Sequence, residues 1–180
     1  MEQIRIHGRG GQGSVTLAHL IAEAAFEQGE WSQAFPAFGV ERRGAPVEAF
    51  ARIDDQKITD RSQVNEPTCV IVQDPTLLEF VDVSVGLVDE GAIVVNSANR
   101  PAELGIDSNA QVVTVDATGI AREHLGRPIM NTALLGAFAG TTGLLDIDSI
   151  ETVTISSFGG DVGRKNANAA DAAYREVLPA

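Results

Sequence analysis

The chain of 180 residues carries 25 acidic against 13 basic side chains, a formal net charge of −12, and is 44% hydrophobic and 21% charged. That length suits one domain of the usual roughly 100–200 residues with a globular composition, which excludes disorder, collagen-like repeats and a separate substrate domain. The acidity excludes a nucleic-acid binder, which would repel its own ligand, and the single cysteine, Cys69, excludes an internal disulfide and any iron–sulfur or zinc centre held by this chain alone.

In chain order, Met1-Glu2-Gln3-Ile4-Arg5 shows no basic-then-apolar leader pattern and runs into a strand over 4–7, ended by the glycine cluster at 8–13. Ser14 opens a helix whose apolar face, Leu17, Leu20, Ile21, Ala24 and Ala25, has 3.6-type spacing and stops near Gly29. A second strand is expected over 31–35, an irregular segment over 36–46, and a strand over 47–53, where Val47, Ala49, Ala51 and Ile53 alternate with other residues. A polar connection over 54–67 follows. Three strands are then apolar on both faces: 69–72, ending at Gln73-Asp74-Pro75 with a helical stretch over 76–81; 92–95, ending at Asn96-Ser97; and 112–115, ending at Asp116-Ala117-Thr118. Continuous β-branched runs mean strands covered on both sides, with ligand-facing loops at their polar ends. The tail holds helical segments over 131–140, 148–157 and 166–178. The uncharged stretch 129–145 is broken by Asn131, Thr132, Thr141 and Thr142 and falls short of the ~20 apolar residues of a membrane span, so it reads as a buried helix and the chain as cytoplasmic. The expectation is one α/β domain over 1–180, a three-layer α/β/α sandwich on a mostly parallel, Rossmann-like sheet.

Chemistry concentrates in two places. Gly8-Arg9-Gly10-Gly11-Gln12-Gly13 lies between a strand and a helix; its glycines permit positive φ and close backbone approach, and the helix N-terminus adds partial positive charge, which together suit a phosphate. The same glycines would also serve a tight turn with no ligand. A dinucleotide site wants an acidic residue ~20 positions on, and Gln33, Ala34 and Phe35 stand there instead, so a free-standing NAD(P) enzyme is the weaker alternative. The second place is Phe35-Pro36-Ala37-Phe38-Gly39-Val40-Glu41-Arg42-Arg43-Gly44-Ala45-Pro46, a segment too apolar for an idle loop, with an arginine pair able to clamp carboxylate or phosphate. It is either covered by a partner or packed on its own domain. Small residues at Ala133, Gly136, Ala137 and Gly140 mark a core helix or an interface. His7, His19 and His124 are too scattered for a metal site, and Cys69 sits inside an apolar strand as an inert thiol.

The glycine motif, the Glu41-Arg42-Arg43-Gly44-Ala45-Pro46 motif, Ala49-Phe50-Ala51-Arg52-Ile53 and Asn131-Thr132-Ala133-Leu134-Leu135-Gly136-Ala137-Phe138-Ala139 together resemble the gamma subunits of pyruvate:ferredoxin oxidoreductases and related 2-oxoacid:acceptor oxidoreductases, over essentially the whole chain. Val40 departs from the proline many members carry there. The resemblance implies a subunit, inactive alone, of a complex that decarboxylates a 2-oxoacid on thiamine diphosphate with Mg, passes electrons through [4Fe–4S] clusters to ferredoxin and hands the acyl group to coenzyme A, or runs in reverse. Those cofactors belong to the alpha, beta and ferredoxin-like delta subunits. Pyruvate is the first-choice substrate; branched-chain 2-oxoacids, 2-oxoglutarate and oxalate are handled by related complexes. For this chain it implies a coenzyme A or phosphate contact by Gly8, Arg9, Gly10, Gly11, Gln12, Gly13, Arg42 and Arg43, and an interface loop of Phe35, Phe38, Gly39, Glu41 and Gly44.

Overall fold

A computed structural model of the protein describes residues 1–37 and 43–178. Six strands form one sheet: β1 (Glu2–Arg9), β2 (Trp31–Pro36), β3 (Pro46–Asp54), β4 (Cys69–Val72), β5 (Ala92–Asn96) and β6 (Gln111–Val115), in the order β2-β3-β1-β4-β5-β6. β1, β4, β5 and β6 run parallel, whereas β3 lies antiparallel between β1 and β2. The carboxyl ends of the four parallel strands and the start of β3 therefore share one edge, with Pro46 opposite Arg9. The α/β class and the mostly parallel sheet are those expected from the sequence.

Five α-helices follow the described chain: α1 (Ser14–Glu27), α2 (Ala117–Leu125), α3 (Asn131–Thr142), α4 (Ile147–Phe158) and α5 (Gly160–Val177). All pack on one face of the sheet, where Ile4, Ile6, Ala51, Ile71 and Val94 meet Leu17, Ile21, Leu134, Phe138 and Ile150 in one core. The opposite face, carrying Val70, Val72, Ile93 and Val95, is covered by Val83 and by flanking residues such as Leu78, Leu104 and Ile106. The third layer of the expected sandwich is thus present but not α-helical. The β4–β5 and β5–β6 connections yield only 3-10 turns, Pro75–Glu79 and Pro101–Glu103, and local side-chain turns interrupt each connection, such as Ser84 N–H onto Asp82 Oδ1 at 3.0 Å in the first and Asn99 N–H onto Ser97 Oγ at 3.1 Å in the second. The helix expected over 76–81 is the first of these turns. Among the described residues, no helix is long and apolar enough to cross a membrane.

Two helix boundaries depart from the sequence pattern for identifiable reasons. α2 was hidden by weak periodicity, although Asp116 caps it by accepting from Gly119 N–H at 2.7 Å and Gly126 closes it at φ 68. α5 begins six residues before the expected 166, because Gly159 and Gly160 make the tight α4–α5 corner rather than a loop. The small-residue helix α3 is core: residues 131–139 are buried, and Gly136 lies so close to the Ala170 carbonyl that no Cβ fits between them.

On the sheet face opposite the helices, cations are buried inside an acidic chain. Arg52 is fully enclosed, donating to Ser62 O at 2.8 Å and Gln3 Oε1 at 3.2 Å and lying 5.1 Å from the Phe35 ring centre. Arg5 donates to Val83 O at 3.0 Å and to His7 Nε2 at 3.1 Å, and the other His7 nitrogen faces Glu48 at 3.3 Å. Burial, reinforced by Arg5, pushes His7 down from 6.5 to about 4.

Replacing Gly136 by Ala should cost about 3 kcal/mol and lower the melting temperature by roughly 10 °C, since the backbone of α5 must move. His7 stays neutral in the fold while the unfolded chain protonates it, so its contribution to stability is present above pH 6.5 and lost as pH falls toward 4. Urea unfolding across that window should show the wild type losing on the order of 3 kcal/mol more than His7→Gln; equal losses would contradict the burial of a neutral imidazole.

Candidate functional site

Gly8 to Gly13 turns the chain from β1 into α1 at the carboxyl edge of the sheet. Gly11 and Gly13 hold φ of 96° and 79°, conformations a side chain rarely takes. Gly8 has a different reason: a Cβ there would collide with the Gln73 and Ser14 side chains. The loop is clamped by the two residues that follow β4. Gln73, 1% exposed, accepts from Ser14 Oγ at 2.5 Å and donates through Nε2 to Asn131 Oδ1 at 2.7 Å and to Gln12 O at 3.4 Å. Its carbonyl accepts from Asn96 Nδ2 at 2.8 Å, and Asn96 is held in turn by Thr118 at 2.9 Å, so the ends of β4 and β5 and the starts of α1, α2 and α3 are tied together.

Asp74 clamps the outer part of the loop. It accepts from Arg9 Nε at 3.1 Å and Gln12 Nε2 at 3.0 Å through one oxygen, and from Thr76 N–H and Oγ1 at 3.1 and 2.6 Å through the other. Burial alone would raise its pKa; the Thr76 and Gln12 hydrogen bonds and the Arg9 guanidinium outweigh that and hold it below the ordinary carboxylate value. Arg9 is further engaged by Thr76 Oγ1 at 2.7 Å and Gly44 O at 3.1 Å. Of the sequence-predicted phosphate residues, the Arg9 and Gln12 side chains are thus occupied by the protein itself.

The remaining predicted residues are brought together. A β-bridge joins Gly10 to Arg43, Gly10 N–H donates to Ala45 O at 2.9 Å, and Gly44 N–H donates back to Gly10 O at 3.0 Å. The exposed Arg43 runs beside the open face of Gly11 and has no carboxylate within ion-pair distance among the described residues. Phe35 lies within β2, its ring 5.3 Å from that of Phe50. Phe38, Gly39, Val40, Glu41 and Arg42 lie outside the described residues.

What the edge can do chemically follows from its unused donors. α1 has neither a side-chain cap nor an acidic residue in its first turn, and no acceptor among the described residues meets the N–H groups of Gly11, Gly13, Ser14, Val15 or Thr16. α2 and α4, by contrast, are capped by Asp116 and Asp146. Such an array binds an oxyanion through backbone donors and the helix dipole. It supplies no nucleophile and no general acid or base. Nor does the chain fit a [4Fe–4S] cluster, which takes four thiolates: Cys69 is the one cysteine, and burial pushes its thiol up. Gln73, Asp74 and Asn131 went unassigned in the sequence because an isolated polar residue at a strand or helix end is not a motif until its partners are known.

Residues 3–176 match the family model described as pyruvate ferredoxin/flavodoxin oxidoreductase. The chain is 56% identical over 178 residues to pyruvate synthase subunit PorC of Methanocaldococcus jannaschii, covering 99% of this chain and 98% of that protein. It is 52% identical over 180 residues to the common gamma subunit of the pyruvate/ketoisovalerate oxidoreductases of Pyrococcus furiosus, covering 98% and 97%. The crystal structure of pyruvate oxidoreductase subunit PORC from Thermotoga maritima superimposes with a TM-score of 0.86 at 36% identity, covering 97% of this chain and 95% of that one. A fold shared end to end with separate subunits, and a matching family model over nearly every residue, lead to one conclusion: the chain belongs to the pyruvate ferredoxin/flavodoxin oxidoreductase family.

Proposed function

We propose that the chain is the gamma subunit of a pyruvate:ferredoxin oxidoreductase, and that its glycine loop, with Arg43 and Arg42, contacts the phosphates of coenzyme A at the junction with the other subunits. The observation that carries the site assignment is the set of N–H groups of Gly11, Gly13, Ser14, Val15 and Thr16, unmet among the described residues, beside the exposed Arg43. In a chain of net charge −12, an edge presenting backbone donors and an arginine that pairs with no carboxylate among the described residues suits an anion that arrives from outside.

In the complete reaction, pyruvate and coenzyme A give acetyl-CoA and carbon dioxide while two electrons pass to ferredoxin, or the reverse. Thiamine diphosphate, bound by other subunits of the complex, would supply the electron sink that decarboxylation needs. The part of this chain is to hold the coenzyme A phosphates against the amides of Gly11 and of residues 13–16 and against Arg43, so that the thiol end is offered to the neighbouring subunit in one orientation. Arg9 and Gln12 keep the loop in shape through Asp74 and do not themselves reach for the ligand. Selection among 2-oxoacids belongs to other subunits, a reading supported by the Pyrococcus furiosus relative, whose name makes it common to pyruvate and ketoisovalerate oxidoreductases.

The alternative of a free-standing NAD(P) enzyme has less support. A ribose-gripping acid should stand at the end of a parallel strand beside β1; on one side β1 is flanked by the antiparallel β3, and on the other the acid after β4, Asp74, is already engaged by Arg9, Gln12 and Thr76.

In the assembled complex, Arg42→Gln/Arg43→Gln should raise the apparent KM for coenzyme A about tenfold, the worth of one charge-assisted hydrogen bond, with KM for pyruvate unchanged. An intact complex with an unaltered coenzyme A KM would overturn the assignment. Arg9→Gln should instead lower the melting temperature of the isolated chain by a few degrees, about 1 kcal/mol.

A further inference from the structure

β2 ends the sheet on one side, with β3 on its inner flank and no strand beyond it among the described residues. Ala37 N–H donates to Glu48 O at 3.0 Å, and an antiparallel ladder alternates, so the backbone groups of Trp31, Gln33 and Phe35 point inward to β3 while those of Ser32 and Ala34 point outward. The outward N–H groups of Ser32 and Ala34 meet no acceptor among the described residues. Pro36, whose missing N–H would also have pointed outward, ends this row on one side. On the other, the Glu30 N–H is spent on Ala25 O at 3.0 Å. The strand itself carries no charge, although charged side chains are a usual guard of a sheet edge. Ser32 Oγ bonds Ala22 O at 2.6 Å on the helix side, whereas Phe35 packs on Phe50 on the opposite face, which Trp31 and Gln33 share by alternation. Trp31 is 50% exposed, and Phe26 of α1, 73% exposed, opens on the groove that Ser32 and Ala22 line.

We infer that β2 pairs antiparallel with β2 of a second copy of this chain, about a two-fold axis through Gln33, joining the two six-stranded sheets into one. The edge fits itself. With Gln33 opposite its own counterpart, Ser32 faces the partner's Ala34, and the two exchange N–H to carbonyl bonds on both sides of the axis. All the outward groups of Ser32 and Ala34 are then satisfied, and the ladder stops where Pro36 has no N–H to give and Glu30 has none left. A register centred on Ala34 would instead set the Ser32 carbonyl against Pro36, which cannot answer it. The register through Gln33 also lays Trp31 across from the partner's Phe35, an aromatic pair on the face away from the helices. Because the axis stands perpendicular to the sheet, both helix layers lie on the same side, which brings α1 beside its counterpart and turns Phe26 into the seam. The glycine loop stays open, since β3 separates β2 from β1, and the pairing is independent of the coenzyme A reading.

The test is sedimentation equilibrium of the full 180-residue chain, with hydrogen exchange of its Ser32 and Ala34 amides. The mass should approach twice the 19.0 kDa of one copy as concentration rises, both amides should gain protection in step, and association should strengthen as salt screens the −12 of each copy. Gln33→Cys reads the register: mild oxidation should link this variant into a disulfide dimer, because a directly opposed pair that is not hydrogen-bonded brings its Cβ atoms within reach, while the buried Cys69 does not compete. Gln33→Glu keeps an acceptor for Arg52 within one copy but sets two carboxylates face to face across the axis, and should raise the dimer dissociation constant at least tenfold. A chain that stays monomeric at every concentration, with no link through position 33, would overturn the pairing. So would a dimer indifferent to Gln33→Glu, which must use another face, or amides protected only when other subunits are added, which assigns the edge to one of those. The wild-type mass and amide protection are read without any substitution, so the outcome does not depend on either variant folding.

Discussion

The polar step Gln73-Asp74, where β4 stops, ties together segments 58 to 65 residues away in sequence. Gln73 is buried, and a buried amide left half satisfied costs more than it contributes, so each of its bonds to Ser14, Asn131 and the Gln12 carbonyl constrains the others. Asp74 does the same at the surface for Arg9, Gln12 and Thr76. Glycine 8 follows from this arrangement rather than from any ligand, because the clamp occupies the space a side chain would need. The consequence is a loop whose backbone donors are oriented before an anion arrives, which reduces the ordering cost of binding.

The distribution of positive charge follows a related logic. Arg5 and Arg52 are enclosed on the sheet face opposite the helices, met mainly by backbone carbonyls and side-chain amides, and Arg9 is spent on Asp74. These cations hold irregular segments onto the sheet where no helix does so. Arg43 is different, being exposed beside the glycine loop. Against 25 acidic residues, such an arginine beside two uncapped helix starts sets the carboxyl edge apart and is the basis for proposing it as the anion site.

Much of the fold was legible in the sequence because the strands are pure cases. The run Cys69-Val70-Ile71-Val72 is observed as β4 over the expected residues, and the other five strands fall within two residues of expectation at each end. Helix α3 as buried core was readable from its alanines and glycines. The non-helical outer layer was not, because apolar strands announce that they are covered without announcing by what. α2 was missed because nine residues give too few turns for periodicity to show, and only its Asp116 cap and Gly126 stop were available as signals. At the site, the glycine loop and its neighbour Arg43 were legible as motifs. The occupation of Arg9 and Gln12 by Asp74 was not, since pairing across 62 to 65 residues depends on the sheet order.

The central claim is that the Gln73-Asp74 clamp shapes the glycine loop without help from a ligand, and amide hydrogen exchange on the free chain tests it most directly. The N–H groups of Arg9, Gly10 and Gln12, which donate to Gln12 Oε1, Ala45 O and Arg9 O, should be protected in phosphate-free buffer, while Gly11 and Gly13 exchange freely. Exchange of all five at unprotected rates until an anion is added would show that the ligand, not the clamp, builds the loop.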